Sequence, residues 1–317
     1  MRNTSTELVV IFGYGAVGKA TAERLIALGR NFRVAQRKPP ADLPAEAQFI
    51  SCDVLDAHSV LTAADGASQI VVSIGFEYSG KVWQDSWPKA MRNLLSACET
   101  TGARMVFLDN LYMYGPQNAP LREDMPLSDY PRKPAARSAI TRMWQDASAA
   151  GRVKVAALRP PDFYGPGVTL SHLGDQAFVP LANGKSATLA CNPAMPHDFA
   201  YVPDIARAIV TLLDAPDQDF GQAWHMPCAP TLTPQQIISL GAEALGVKPR
   251  IRALPAWLLP ILGLFVPFLR ELHEMRFQWS APYLVEAEKF KRRFWSDVTP
   301  FEVGVKATAL SFQKATK

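Results

Sequence analysis

The first half of the chain repeats one pattern: a short apolar run, a turn, then a stretch with apolar positions at helical spacing. Val9-Val10-Ile11-Phe12 reads as a buried strand, Gly13–Gly18 as a turn, and Lys19–Gly29 as a helix. Asn31–Gln36 predicts a second strand, and Gln48–Cys52 a third that ends in Asp53. A helix near Ala57–Ala64 and a strand at Gln69–Ser73 follow. Next come a helix at about Trp87–Thr100 closed by Gly102, a strand at Arg104–Leu108, a helix at about Pro134–Ala150 and a strand at Val153–Leu158. Apolar strands alternating with helices predict an α/β fold. We expect a Rossmann doubly wound parallel sheet of about seven strands.

The rhythm changes after Gly165-Pro166-Gly167, where the chain becomes rich in loops and prolines. Phe199–Val202 predicts a short strand, and Asp204–Leu213 a helix capped by Asp204. Thr233 should cap a helix running to Leu245 and closed by Gly246, and Leu284–Phe290 lies in an amphipathic tail. The expected division is a dinucleotide-binding domain over 1–167 plus about 198–226. A smaller C-terminal substrate domain would take about 168–197 and 227–317.

Composition narrows the class. Of 317 residues, 48% are hydrophobic and 20% charged, as in a globular protein. The net charge of +4 is scattered, which gives no case for nucleic acid and supports at most a preference for anionic ligands; a small-molecule substrate is the expected partner. Cys52, Cys98, Cys191 and Cys228 stand far apart, with neither metal-ligand spacing nor a disulfide framework; a reducing cytoplasm is the expected location. The N-terminal residues lead straight into the first strand, with no secretory signal pattern. Leu254–Leu269 is uncharged and very apolar but carries three prolines and is short for a membrane span. It reads as a buried, kinked element of the second domain, with an apolar lid, a subunit contact in a homodimer or a membrane-surface foot as the other reading.

The turn after the first strand carries the chemistry. In G-x-G-x-x-G, Gly13 permits the tight turn, Gly15 lets backbone approach a pyrophosphate, and Gly18 lets helix and strand pack closely. Tyr14, Ala16 and Val17 complete that phosphate-binding turn. The second strand ends in Gln36-Arg37-Lys38, with two cations where an acid would receive the ribose hydroxyls of NAD. A guanidinium there suits the 2′-phosphate of NADP, so NADP is expected over NAD. Asp53, beside Val54, is placed to accept from the adenine amino group or to cap the next helix.

Several segments fall in an order that resembles one family: Gly13–Gly18, Cys52-Asp53-Val54, Leu111-Tyr-Met-Tyr-Gly115, Leu158-Arg-Pro-Pro-Asp-Phe-Tyr-Gly-Pro-Gly167 and His197-Asp-Phe-Ala-Tyr-Val-Pro-Asp204. The chain resembles the extended short-chain dehydrogenases/reductases, the NAD-dependent epimerase/dehydratase group, over nearly its whole length. The resemblance implies redox chemistry on alcohols or ketones, often of nucleotide sugars. It also implies a Tyr-x-x-x-Lys pair on a helix and a Ser after the fifth strand. Here those slots hold Lys133, Arg137 and Asn110.

Three readings stay open. In the first, Arg137 holds the nicotinamide ribose, Asn110 donates to a substrate oxygen, and Lys133 or a tyrosine (Tyr112, Tyr114, Tyr130 or Tyr164) gives the proton. In the second, the protein binds NADP without turnover and acts as a redox sensor or regulator. In the third, the register is displaced by several residues. The resemblance further implies that Ser73, Ile74 and Gly75 lie beside the cofactor ribose and that Pro160 and Phe163 line the nicotinamide pocket. Glu77, Tyr78, Tyr164 and His197 would meet the substrate. No metal is expected.

Overall fold

The computed structural model describes residues 7–254 and 263–313. Its elements in chain order begin with β1 Val9–Phe12, α1 Ala16–Ala27, β2 Phe32–Gln36, β3 Gln48–Ser51, α2 Ala57–Ala63, β4 Gln69–Val72, α3 Gly80–Thr101 and β5 Arg104–Leu108. They continue with α4 Arg132–Ala149, β6 Val155–Arg159, β7 Asp162–Tyr164, α5 Val179–Ala182, β8 Ala187–Leu189, β9 Phe199–Tyr201, α6 Val202–Asp214 and β10 Gln222–His225. The last are α7 Pro234–Ala244, β11 Ile251–Ala253, α8 Pro267–Glu274, α9 Phe277–Ser280, α10 Glu288–Arg293 and α11 Phe301–Ser311.

The expected sheet is present. Seven strands lie in the order β10-β6-β5-β4-β1-β2-β3, and the pairings from β6 through β3 run parallel. β1, β4 and β6 are near-continuous apolar runs with every residue buried, because a parallel sheet is covered on both faces. The strand order reverses between β1 and β4, and it is outside the carboxyl ends at such a switch point that open α/β sheets bind ligands.

The chain forms two compact units. The first takes Met1–Gly115, Pro126–Arg159 and Ile205–Trp224; the second takes Pro116–Met125, Pro160–Asp204 and His225–Lys317. The core of the first is built from sheet residues and from Trp83, Trp87, Met91, Ile140 and Trp144 of α3 and α4. The core of the second gathers Tyr164, Phe178, Leu189, Phe199, Ile237 and Phe301. Within it, Leu121 pairs with Val285 and the Glu123 carboxylate accepts the His225 amide, which fastens the 116–125 segment.

Three local expectations change. α3 begins at Gly80 and passes through Pro88, because Trp83 and Trp87, one turn apart, both bury on the core. Asp204 sits in the first turn of α6, where its carboxylate accepts from the Thr299 amide and hydroxyl. α2 is capped by Asp56, not Asp53: the Asp56 side chain accepts from the Ser59 amide at 2.7 Å. Thr233 caps α7 as expected, in a reciprocal box with Gln236. Of the apolar 254–269 segment, residues 255–262 lie outside the described residues. Leu264 and Phe265 are each 80% exposed, which contradicts a buried element at that point.

Candidate active site

The turn between β1 and α1 is shaped by what it lacks. Gly13 adopts φ +95°, and a Cβ there would lie 2.9 Å from the Ser73 carbonyl oxygen. A Cβ on Gly18 would lie 2.1 Å from the Gly13 carbonyl oxygen, so close packing of α1 on the turn requires glycine. Ser73, just past β4, clips the turn by donating to the Gly13 carbonyl at 2.9 Å. Gly15 is the N-cap of α1. A Cβ there would meet no heavy atom within 4 Å among the described residues. No side chain caps this end and no acid stands in its first turn, so amide groups and the positive end of the helix dipole face open space. These residues fit a dinucleotide pyrophosphate.

Gln36 stands at the end of β2, where the sequence suggests a ribose. Its Oε1 accepts the Tyr14 amide at 3.0 Å and its Nε2 donates to the Lys38 carbonyl at 2.8 Å, tying the glycine turn to the tip of β2. Arg37 and Lys38 are exposed beside it. Asp53 is exposed after β3, and its Oδ1 accepts the Leu55 amide; Val54, half-buried, has its carbonyl bonded by Asn93. Ile74 is half-buried and Gly75 exposed after β4.

The catalytic slots lie in the same unit. α4 buries Lys133 completely and places its ammonium 4.6 Å from the Tyr78 ring centroid. One turn on, Arg137 stacks over Trp87 at 4.2 Å and donates to the Asp109 carboxylate. Asp109 also accepts from Arg159 Nε at 3.1 Å, and Arg159 donates to the Tyr114 hydroxyl at 2.7 Å and Thr141 at 3.3 Å. Burial alone would lower the Arg159 pKa, but Asp109 and Tyr114 outweigh it and raise it. Arg137, suggested by the sequence as a ribose ligand, thus pairs with Asp109, while its Nε has no hydrogen-bond partner among the described residues. Asn110 Oδ1 accepts the Tyr112 amide at 3.0 Å, and the Tyr112 ring stacks on Trp83 at 5.8 Å. Tyr78 meets the same indole edge-on at 5.7 Å, and the Glu77 carbonyl accepts from Trp83 Nε1. Lys133, Asn110, Tyr112, Tyr78 and Glu77 thus share one neighbourhood around Trp83. Tyr114 is buried and Tyr130 stands exposed.

The second unit holds the other expected residues. Tyr164 is a core side chain between Tyr201 and Phe301; burial pushes its phenol pKa up. Pro160 is buried and Phe163 half-buried. His197 is buried, bonded through Nε2 to Asp162 at 2.9 Å, and stacked on Trp279 at 3.9 Å. His172 meets the same indole at 4.0 Å. Burial would raise the Asp162 carboxyl pKa, but the His197 bond and the charges of both imidazoles lower it. Burial pushes His172 down to about 4.

The sequence reading missed Asp109, Arg159, Asp162 and His172. The signal for the first two was available: β5 and β6 are neighbours, and the Asp109 amide bonds the Leu158 carbonyl, so an acid and a base close adjacent strand ends. Among the described residues, no group of His, Cys, Asp and Glu is arranged to hold a metal.

A profile of the NAD dependent epimerase/dehydratase family matches residues 9–225. The chain belongs to this family. It is 26% identical over 270 residues to the dTDP-6-deoxy-L-talose 4-dehydrogenase (NAD(P)(+)) of Kitasatospora kifunensis, covering 78% of this chain and 82% of that protein. Its fold is shared with the Bordetella bronchiseptica enzyme WbmH in complex with NAD+, at TM-score 0.75 and 18% identity, over 97% of this chain and 99% of the other. It is shared equally with the Thermus thermophilus UDP-glucose 4-epimerase in complex with NAD, at TM-score 0.76 and 19% identity, over 98% and 100% of the two chains. Membership favours an enzyme of the epimerase/dehydratase type. On the register expected from the sequence, the Tyr-x-x-x-Lys slots would hold Lys133 and Arg137.

Proposed function

We propose that the protein is an NADP-dependent oxidoreductase acting on a carbonyl or alcohol carbon of a sugar nucleotide, with Lys133 as the proton-transferring group. The substrate class is suggested by the Kitasatospora relative, whose name specifies a dTDP-linked deoxysugar and oxidation at carbon 4. The reading is carried by one observation: a buried Lys133 ammonium in the same aromatic neighbourhood as Asn110 and Tyr112. NADP, when bound, supplies or accepts the hydride. In reduction, Lys133 donates a proton to the substrate oxygen as that oxygen gains charge; in oxidation its amine takes the hydroxyl proton. Asn110 spends its Oδ1 on the Tyr112 amide, which leaves its Nδ2 to donate to the same oxygen. Arg137, held by Asp109, adds fixed positive charge behind Lys133 rather than a bond to ribose. The preference for NADP rests on Gln36, Arg37 and Lys38, with Arg37 pairing the 2′-phosphate.

A non-catalytic NADP-binding regulator is the second reading, favoured by the absence of a tyrosine at the Lys133 slot. A hydride-transfer screen with NADPH and NADH over sugar nucleotides, aldehydes and cyclic ketones separates the two. The enzyme reading expects turnover that Lys133→Ala abolishes while NADP affinity stays unchanged. Arg37→Ala should weaken NADP by about ten- to hundredfold and leave NAD untouched. Tight NADP binding without turnover on any substrate would favour the regulator.

A further inference from the structure

The lysine assigned to proton transfer is 0% exposed. Among its neighbours in the first unit, the Tyr78 ring lies over the ammonium, its centroid 4.6 Å from Nζ. A group that hands a proton to a substrate oxygen must come within hydrogen-bond reach of it. Something that covers Lys133 must therefore move. The rings of this neighbourhood differ in how they are held. Trp83 and Trp87 are buried on α3 as part of the core. Tyr112 stands in a one-turn helix, Tyr112–Tyr114, whose first amide is taken by Asn110 Oδ1. Tyr78 is half-buried and belongs to residues 73–79, which join β4 to α3 with neither helix nor strand. That segment is pinned one residue away: the Glu77 carbonyl accepts from Trp83 Nε1 at 2.9 Å and from the Ser79 amide at 2.7 Å. Towards β4 it is less crowded, since Gly75 is exposed and a Cβ there would meet no heavy atom within 4 Å beyond its chain neighbours. The Tyr78 ring itself meets Trp83 by an edge contact at 5.7 Å.

We propose that Tyr78 is the gate and positioning residue of Lys133. In the closed position the ring face holds the ammonium and keeps water from it. The entering substrate displaces the ring about the Glu77 pin and takes its place before Lys133, so part of its binding energy goes into opening the gate. The inference rests on Lys133 as the proton-transferring group. It gives Tyr78 a role that works through Lys133, where the sequence suggested a direct contact with substrate.

The first test needs no substrate. The full chain is acetylated with N-hydroxysuccinimidyl acetate, and the rate at each lysine is read by peptide mass spectrometry. Lys89, exposed on α3, is the internal reference. Lys133 should react far more slowly than Lys89 in the wild type. Tyr78→Ala should speed acetylation of Lys133 about tenfold and leave Lys89 unchanged. Tyr78→Phe, which keeps the ring face, should stay slow; Tyr78→Leu, which keeps bulk alone, should fall between. A urea-unfolding transition retained in each variant shows that Lys133 is uncovered by the gate and not by loss of the fold; the Phe and Leu variants carry the test if the Ala variant does not fold. Turnover gives a second readout. For the sugar nucleotide that turns over in the hydride-transfer screen, Tyr78→Ala should lower KM, because no ring has to be displaced, and lower kcat, because Lys133 is no longer held. Equal acetylation of Lys133 in wild type and Tyr78→Ala would overturn the proposal, as would fast acetylation in Tyr78→Phe. A KM that rises while acetylation stays slow would overturn it too, and make Tyr78 a substrate contact. Failure of the proton-transfer reading is seen separately, as turnover that survives Lys133→Ala.

Discussion

The two ends of the first unit's site solve their problems in opposite ways. At the end proposed to take the cofactor, the β1–α1 turn works through missing atoms: Gly13 and Gly18 leave no room for a Cβ, and a Cβ on Gly15 would meet nothing within 4 Å among the described residues. At the chemical end, α4 works through extra ones: Lys133, Arg137, Asp109 and Arg159 are all buried, held by aromatic rings and by one shared carboxylate. A backbone cradle tolerates little change, because any side chain fills it. A side-chain constellation can be rebuilt, provided each buried charge keeps a partner.

The sharpest way to break the contrast is Gly18→Ala. Its Cβ would press on the Gly13 carbonyl, so we expect a loss of about 4 kcal/mol or more and no cofactor binding, read by urea unfolding and NADP fluorescence titration. Asp109→Asn removes the carboxylate shared by two buried guanidinium groups and should cost about 3–5 kcal/mol. Adding Arg137→Met to it should restore part of that loss; if the double variant is no more stable than the single one, the cluster is not a unit. The second unit gives a pH-dependent counterpart. The folded His172 resists protonation down to about 4 while the unfolded residue takes a proton near 6.5, so the unfolded state binds more protons across that window. Stability should therefore fall as pH drops from about 6.5 to 4, by at most about 3 kcal/mol, and His172→Phe should flatten the slope. Asp162, whose carboxyl pKa is lowered, adds a loss in the same direction at still lower pH. The smallest stability effect is expected for Gly15→Ala, within about 0.5 kcal/mol, because its Cβ meets nothing. Cofactor affinity should nevertheless fall about tenfold; an unchanged affinity would mean that the pyrophosphate lies elsewhere.

Much of this was readable in the residue pattern, and the limits have physical causes. Buried parallel strands are written as short apolar runs, so β1, β2, β4 and β5 fell within a residue of their expected ends. The glycine turn was readable because only glycine meets its steric demands. Ends governed by tertiary contacts were not. Asp204 is drawn to Thr299, far along the chain, whereas the Asp56 cap of α2 is local and directly precedes the expected start at Ala57. Likewise, that Arg137 would turn to Asp109 depends on a strand end brought to it by the sheet, whereas the i, i+4 relation to Lys133 was visible from spacing alone.

The division of the chain also fixes an order of events at the ribosome. The first unit is not complete in sequence until Trp224, after Pro116–Met125 and Pro160–Asp204 of the second have already been synthesised. The 116–125 strap must wait longer still, because Leu121 finds its bridge partner only when Val285 has been made. The first unit can therefore be complete in sequence while the second still lacks its C-terminal part. A messenger truncated between the codons for Trp224 and Phe301 would yield a complete first unit joined to a second whose hydrophobic core lacks Phe301, Val305 and Ala309, an aggregation-prone product.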